Sequence, residues 1–387
     1  MSSRFPKLAL ALAGIALSLA HAQSQEADGF SSTTQDRLAQ AAGWWPTKGD
    51  ATRSQFVGGA TCSGCHQETA ALQATTPMYH AGMRAAQSEI LKQNGKLKFH
   101  EGRFSYSLAL ASKEVVYTVS DGVKTADSVT GWAFGAGKNG QTYVLEKAGV
   151  DTESRLSYFT SLKSLDITPG HPAQAPKRLE DALGLKMDSQ TARLCFGCHM
   201  TAAVTSNALE PEKAMAGVTC EACHGPGAKH VAAMKAGEYK QGAEAIMNPA
   251  GLSPFDSVDF CGACHRTWAD VVAQMRPNLG VVSVRFQPYR LEESRCWGKG
   301  GDARITCIAC HDPHQPLVRE SSAYDSKCLS CHSAKPEPDG EMAAKTTCKV
   351  ATSNCVSCHM PKYEVPDMHA KFTDHNIRVV RTSEFDR

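Results

Sequence analysis

Seven times along this chain, two cysteines stand with two residues between them and a histidine directly after the second. The seven are Cys62-Ser-Gly-Cys65-His66, Cys195-Phe-Gly-Cys198-His199, Cys220-Glu-Ala-Cys223-His224, Cys261-Gly-Ala-Cys264-His265, Cys307-Ile-Ala-Cys310-His311, Cys328-Leu-Ser-Cys331-His332 and Cys355-Val-Ser-Cys358-His359. With 16 cysteines and 15 histidines in 387 residues, chance placement gives about 0.03 such pentapeptides, so the repetition is not compositional. Two thiols at this spacing can reach the two vinyl groups on one edge of a porphyrin. The next side chain then lies under the ring, where its imidazole takes the proximal position on the iron. A zinc ribbon needs its C-x-x-C units in twos and has no use for a histidine at the next position, and a thioredoxin-like redox pair does not recur seven times. The pattern predicts seven covalently attached haem c groups, each held by two cysteines and one histidine of a single pentapeptide.

One face of each iron is left to be filled. An iron with histidine on both faces is six-coordinate and suited to electron transfer, whereas an open face binds substrate. Outside the motifs and residues 1–22 there are seven histidines, His80, His100, His171, His230, His314, His369 and His375, one for each iron. All seven are candidate distal ligands, with His80, His171, His230, His314 and His375 the better placed. A lone histidine is more commonly a surface or hydrogen-bonded residue, but here seven irons need partners. His230 and His314 stand too close to the histidines of their own motifs to reach round the same ring, so each is expected on a neighbouring haem. His369 and His375 share one loop, where His375 is preferred. Met83 competes with His80, while Met200 and Met360 follow motif histidines directly and are expected to pack on haem.

Two cysteines, Cys296 and Cys348, lie outside the motifs. In an oxidising compartment such a pair predicts a disulfide worth up to ~4 kcal/mol, the alternative being two buried thiols. Arg285, Arg290 and Arg295 recur at five-residue spacing and are expected to neutralise haem propionates, with docking of an acidic partner or a solvated loop as alternatives. No C-x-x-C-Lys variant is present, which counts against a pentahaem nitrite reductase.

The motif spacing constrains the elements that carry it. From Cys195 to Cys355, successive first cysteines are 25, 41, 46, 21 and 27 residues apart. Gaps this short cannot each hold a domain, so neighbouring haems must lie close and the porphyrins must form much of the core. The expected fold is mainly α with much irregular loop, built around a covalent multihaem array. A small antiparallel β insertion separates motifs 1 and 2. Arg103–Leu110, Glu114–Val119, Val129–Phe134, Gln141–Leu145 and Ser154–Phe159 have the alternation and β-branched or aromatic content of strands. Gly131–Gly140 reads as a hairpin-rich turn and not a phosphate loop, since it lacks the Lys-Ser/Thr ending. Helices are expected over Gln67–Thr76, Met78–Lys92, Ala228–Lys235 and Trp268–Met275.

The domain plan follows: a signal peptide over 1–22, an exposed leader over 23–55, a first haem-binding segment over 56–95, a haem-free β-rich insertion over 96–175 and a six-haem cytochrome domain over 176–387. Arg4 and Lys7, an apolar run from Leu8 to Leu19 and Ala20-His21-Ala22 form the export signal, cleaved before Gln23. That run is short of the ~20 residues a membrane span needs, so no transmembrane segment is expected and the product is periplasmic or extracellular. The formal charge of +2 falls towards zero on cleavage and becomes acidic once haem propionates are added, which excludes nucleic acid as a partner.

Phe56-Val-Gly-Gly-Ala-Thr-Cys62 through His80, Gly217-Val-Thr-Cys220 to Gly227 with His230, Cys307 to His314, and Cys355-Val-Ser-Cys-His-Met-Pro361 resemble the multihaem cytochromes related to cytochrome c-554 and hydroxylamine oxidoreductase. The family's namesake is the tetrahaem electron acceptor in bacterial hydroxylamine oxidation. The resemblance covers 56–80 and 195–380. It implies a mostly helical array of stacked haems with distal histidines at His80, His230 and His314. Seven motifs and a β insertion depart from the family pattern, so no substrate is carried over.

The leading expectation is a periplasmic heptahaem c-type cytochrome that relays single electrons between redox partner proteins, either other cytochromes or a quinol-linked donor. Electron transfer is favoured over catalysis. The first alternative is an oxidoreductase with one open haem acting on a small nitrogen or sulfur species, and the second is a subunit of an extracellular conductive assembly.

Overall fold

The computed structural model describes residues 51–147, 150–205, 208–274, 279–297, 305–332, 348 and 350–380. The expected signal peptide and leader residues 23–50 lie outside these.

Ten strands form one antiparallel sheet. They are β1 Gly82–Arg84, β2 Lys96–Glu101, β3 Phe104–Ala111, β4 Glu114–Ser120, β5 Thr125–Phe134, β6 Gly140–Lys147, β7 Val150–Ser154, β8 Leu156–Phe159, β9 Ser164–Ile167 and β10 Gly184–Lys186. The main path runs β10-β7-β6-β5-β4-β3-β2, with β1 added to β5 and the β8-β9 hairpin added to β6. Period-two alternation drives it: Phe104, Tyr106 and Leu108 of β3 and Val115, Tyr117 and Val119 of β4 point to one buried face. They meet Tyr143, Leu145, Leu156 and Leu165 in a core that owes nothing to haem. A register shift between Thr130 and Trp132 turns the end of β5. Trp132 and Phe134 then pack with Val144, Phe196 and Met200 on the opposite face.

The sheet is larger than the small insertion expected, and it reaches outside 96–175 at both ends. The helix expected over Met78–Lys92 is not formed. β1, a 3-10 turn at Ala85–Gln87 and a short helix at Glu89–Asn94 replace it. A Cβ on Gly82 would press on the His199 carbonyl and the Met200 side chain, so the chain threads this gap extended, with Gly82 opposite Phe134. The segment expected as one strand over Ser154–Phe159 is divided at Arg155 between β7 and β8. Arg155 is buried, and its guanidinium is held by Glu101.

The helices expected at 67–76, 228–235 and 268–275 are found at Gln67–Gln73, Ala228–Lys235 and Trp268–Gln274. From Ser189 onward the described residues form short helices joined by loops and two-stranded pairs, one of them Lys362–Val365 against Ala370–Thr373. Among the described residues no helix is long and apolar enough to cross a membrane.

Candidate haem centres

Every motif lies in or at the end of a short helix: Gly59–Ser63, Ser189–His199, Cys220–His224, Pro254–His265, Cys307–Cys310, Asp325–His332 and Cys355–His359. Residues at i, i+3 and i+4 share one helix face, so helical winding brings both thiols and the imidazole out together. The helix starts are set by capping. Asp188 accepts from Thr191 N–H at 2.7 Å, Ser253 from Asp256 N–H at 3.2 Å and Thr306 from Ala309 N–H at 3.1 Å.

Three motif histidines face a second imidazole from another segment. His66 faces His230 with ring centroids 6.4 Å apart, His224 faces His314 at 6.0 Å, and His311 faces His375 at 6.3 Å. With metal–nitrogen bonds of about 2 Å and centroids about 1.1 Å behind the nitrogens, two imidazoles on opposite sides of one iron have centroids about 6.3 Å apart. These residues therefore fit a haem iron between them. His230 and His314 meet the histidines of other motifs, motif 1 and motif 3, and not those of their own.

The second ring nitrogens are bound in the way metal-ligating histidines require. Nδ1 lies 2.8 Å from Met247 O in His224, 2.7 Å from Gly242 O in His230, 3.0 Å from Thr373 O in His375, 2.9 Å from Ala81 O in His199 and 2.8 Å from Arg378 O in His359. Donation from Nδ1 leaves Nε2 with the lone pair. Desolvation lowers the pKa of His199, His224, His265 and His311, and that of His375 to about 4, which keeps the rings in the neutral, ligating form.

The remaining candidate histidines are placed differently. His171 Nε2 lies 3.2 Å from Glu153 and His369 Nε2 lies 2.9 Å from Asp166, the latter against the edge of Phe159. Ser161 bonds the His369 carbonyl at 2.7 Å, so this segment docks on the sheet. His100 is exposed on edge strand β2, opposite Ser105. His80 Nε2 is 2.9 Å from Ala74 O, and the ring lines a cavity of about 420 Å³ shared with Met83, Gln87 and Glu89. Among the described residues none of these four pairs with a motif imidazole. Met200 is buried beside Phe196, and Met360 is half-buried.

The motifs are neighbours in space in an order that differs from the sequence. Cys62 of motif 1 contacts Cys220 of motif 3, Cys198 of motif 2 contacts Cys264 of motif 4, and Cys261 of motif 4 contacts Cys307 of motif 5. Cys223 of motif 3 lies beside Cys261 and Cys264. Cys310 of motif 5 lies beside Cys328 of motif 6, which contacts Cys355 of motif 7. The spatial order is 1-3-4-5-6-7, with motif 2 attached at motif 4.

Carboxylates that the sequence reading passed over fix this order. Glu221, buried inside motif 3, accepts from Val57 N–H at 2.9 Å, Gly58 N–H at 2.8 Å and Gly227 N–H at 2.8 Å, clamping motif 1 to motif 3. Gly217, just before motif 3, holds φ 70 where a Cβ would strike the Tyr79 carbonyl. Asp325 accepts from Asn354 N–H at 2.7 Å and Cys355 N–H at 2.9 Å, joining motif 7 to the helix of motif 6. Asp374 has a fully buried side chain, held by Arg290 at 2.8 and 2.9 Å and Arg378 at 2.8 Å. The signal for Glu221 was available, because its motif alone carries a charge between the two cysteines.

Two expectations are corrected by these contacts. Arg290 is spent on Asp374 and Glu293, so protein carboxylates take the role assigned to propionates. Among the described residues no disulfide joins Cys296 and Cys348, and Cys348 is exposed. Arg295 is exposed. Arg285 packs over Phe286 at 5.9 Å and is desolvated enough to lower its pKa.

Residues 161–225, which contain motifs 2 and 3, match the family described as cytochrome c554 and c-prime. A curated relative, the multiheme cytochrome MtrA of Shewanella baltica (strain OS185), is 25% identical over 248 residues, which is 57% of this chain and 62% of that protein. The solved outer cell wall cytochrome OcwA superposes over 84% of this chain and 80% of its own, with a TM-score of 0.44 and 15% identity. Since the matched segment includes two of the attachment motifs and the other five repeat its chemistry, the chain is a multihaem c-type cytochrome that binds haem c covalently.

Proposed function

We propose that this protein is an exported electron-transfer cytochrome, loaded with seven haem c groups, that passes single electrons between redox partner proteins. Cys62 and Cys65, Cys195 and Cys198, Cys220 and Cys223, Cys261 and Cys264, Cys307 and Cys310, Cys328 and Cys331, and Cys355 and Cys358 hold the groups, with the histidine after each pair as proximal ligand. His230, His314 and His375 are the distal ligands at motifs 1, 3 and 5. Bound in this way, haem supplies a reversible one-electron couple at each motif.

The observation that carries the reading is the opposition of imidazoles at 6.0–6.4 Å in three separate places. Two histidines per iron suit electron transfer and exclude substrate from those irons. The chain's part is to fix spacing and environment. Glu221, Asp325 and Asp374 lock the segments together, and apolar packing around Phe196 and Trp297 limits solvent at the interior motifs. Carbon monoxide tests the reading, since irons at motifs 1, 3 and 5 should ignore it.

A second reading has its own support. His171 and His369 place Nε2 on Glu153 and Asp166, which leaves fewer spare imidazoles than irons. An open haem at motif 2, 4, 6 or 7 would bind a small nitrogen or sulfur species. Gas uptake by one haem per molecule would favour that reading.

A further inference from the structure

Motif 4 is a junction. Its two cysteines touch Cys198 of motif 2 and Cys307 of motif 5, and Cys223 of motif 3 lies near both. Direct geometry agrees on two of these links. Cys198 Sγ donates to Ala263 O, inside motif 4, at 3.7 Å. Val258, on the helix that ends in motif 4, packs with Leu291 and Trp297 beside Cys307.

Motif 2 is different, for among the described residues its thiols contact those of motif 4 alone. Its other side is closed by the sheet. Phe134 stacks on His199 at 4.8 Å and 20°, and Phe196 is held edge-on by Trp132 at 5.4 Å and Phe134 at 5.1 Å. His199 Nδ1 is fixed by Ala81 O at 2.9 Å. By contrast, His66 at one end of the series and His332 and Cys358 at the other are exposed.

We propose that Cys195, Cys198 and His199 hold a haem that ends a side branch, a charge store filled and emptied only through motif 4, and that the β-sheet serves as its cap. The proposal rests on the relay reading above. When the branch fills, the group at motif 4 is oxidised by one electron and that at motif 2 is reduced by one. The reverse step returns the electron, and no other reactant is consumed. Burial under Trp132 and Phe134 sets the potential of the store apart from that of the through path.

Pulse radiolysis of the holoprotein, delivering less than one electron per molecule, separates the cases through intramolecular redistribution. Three proteins are compared: wild type, C195A/C198A and C261A/C264A, each checked by intact mass, with one haem fewer expected in each variant. The expected result is that C195A/C198A loses one redistribution phase and keeps the others within about twofold, while C261A/C264A loses the transfer between the two ends. If C195A/C198A also loses end-to-end transfer, motif 2 lies on the through path and the branch is overturned. If C261A/C264A retains it, the relay order itself fails. Phe134→Leu, which keeps all seven attachment sites, covers the case in which a cysteine variant does not mature. It should alter only the phase assigned to motif 2, and a change confined to the other phases would contradict the proposal.

Discussion

The imidazoles of His66 and His230 oppose each other at 6.4 Å with 24° between their planes, although they stand 164 positions apart in the chain. An iron fits between them. His230→Ala should convert one low-spin haem per molecule to a high-spin, carbon monoxide-binding form, and His314→Ala and His375→Ala should each do the same. Electron paramagnetic resonance of the oxidised protein reads this directly. His369→Ala, whose ring is held by Asp166, should leave the spectrum unchanged.

Glu221→Gln should loosen motif 1 from motif 3. The carboxylate accepts three backbone N–H bonds, and losing its charge should cost about 1.5–3 kcal/mol. Thermal melting should fall accordingly, with faster proteolysis before Cys62. An unchanged melt would mean the clamp does not bear on stability.

Asp374 should govern the acid limb of stability. Burial by itself would raise this carboxyl, but hydrogen bonds from Arg290 and Asn376 N–H and the nearby Arg378 outweigh burial and hold its pKa below the usual value. A carboxyl lowered in the folded state binds fewer protons there than in the unfolded chain. Its contribution is complete above the unfolded value of about 3.9 and is lost as pH falls through the folded one. Asp374→Asn should cost about 3 kcal/mol at pH 7 and flatten the melting profile below about pH 4.

Arg285 should tune one haem potential. Desolvation, with Arg266 nearby, lowers its pKa, and among the described residues it makes no hydrogen bond to a carboxylate, so a propionate is its natural partner. Arg285→Gln should lower one midpoint potential in a spectroelectrochemical titration, and Arg285→Lys should restore most of it. Identical titrations for all three proteins would remove Arg285 from the account.

The attachment residues were legible because they are local: five consecutive residues contain the anchors and the proximal ligand. Strands β3 to β6 were legible for the same reason, through alternation of Phe104, Tyr106 and Leu108 with polar neighbours. β1 was not, because Gly82-Met83-Arg84 becomes a strand only through β5, some fifty residues on. The sequence favoured His375 over His369 without supplying the reason, since His375 faces His311 and His369 turns onto Asp166 only through Arg290, Asp374 and Ser294 across the fold. The spatial order of motifs is tertiary throughout, and Glu221 and Asp325 encode it from within or beside the motifs they join.

The central claim is that seven pentapeptides each bind a haem covalently. Intact mass spectrometry of the mature protein under denaturing conditions measures this. The expected mass is that of the polypeptide plus seven haem increments. Six or fewer increments in fully matured protein would contradict it, and the motif missing its haem would be identified by the haem-bearing peptides.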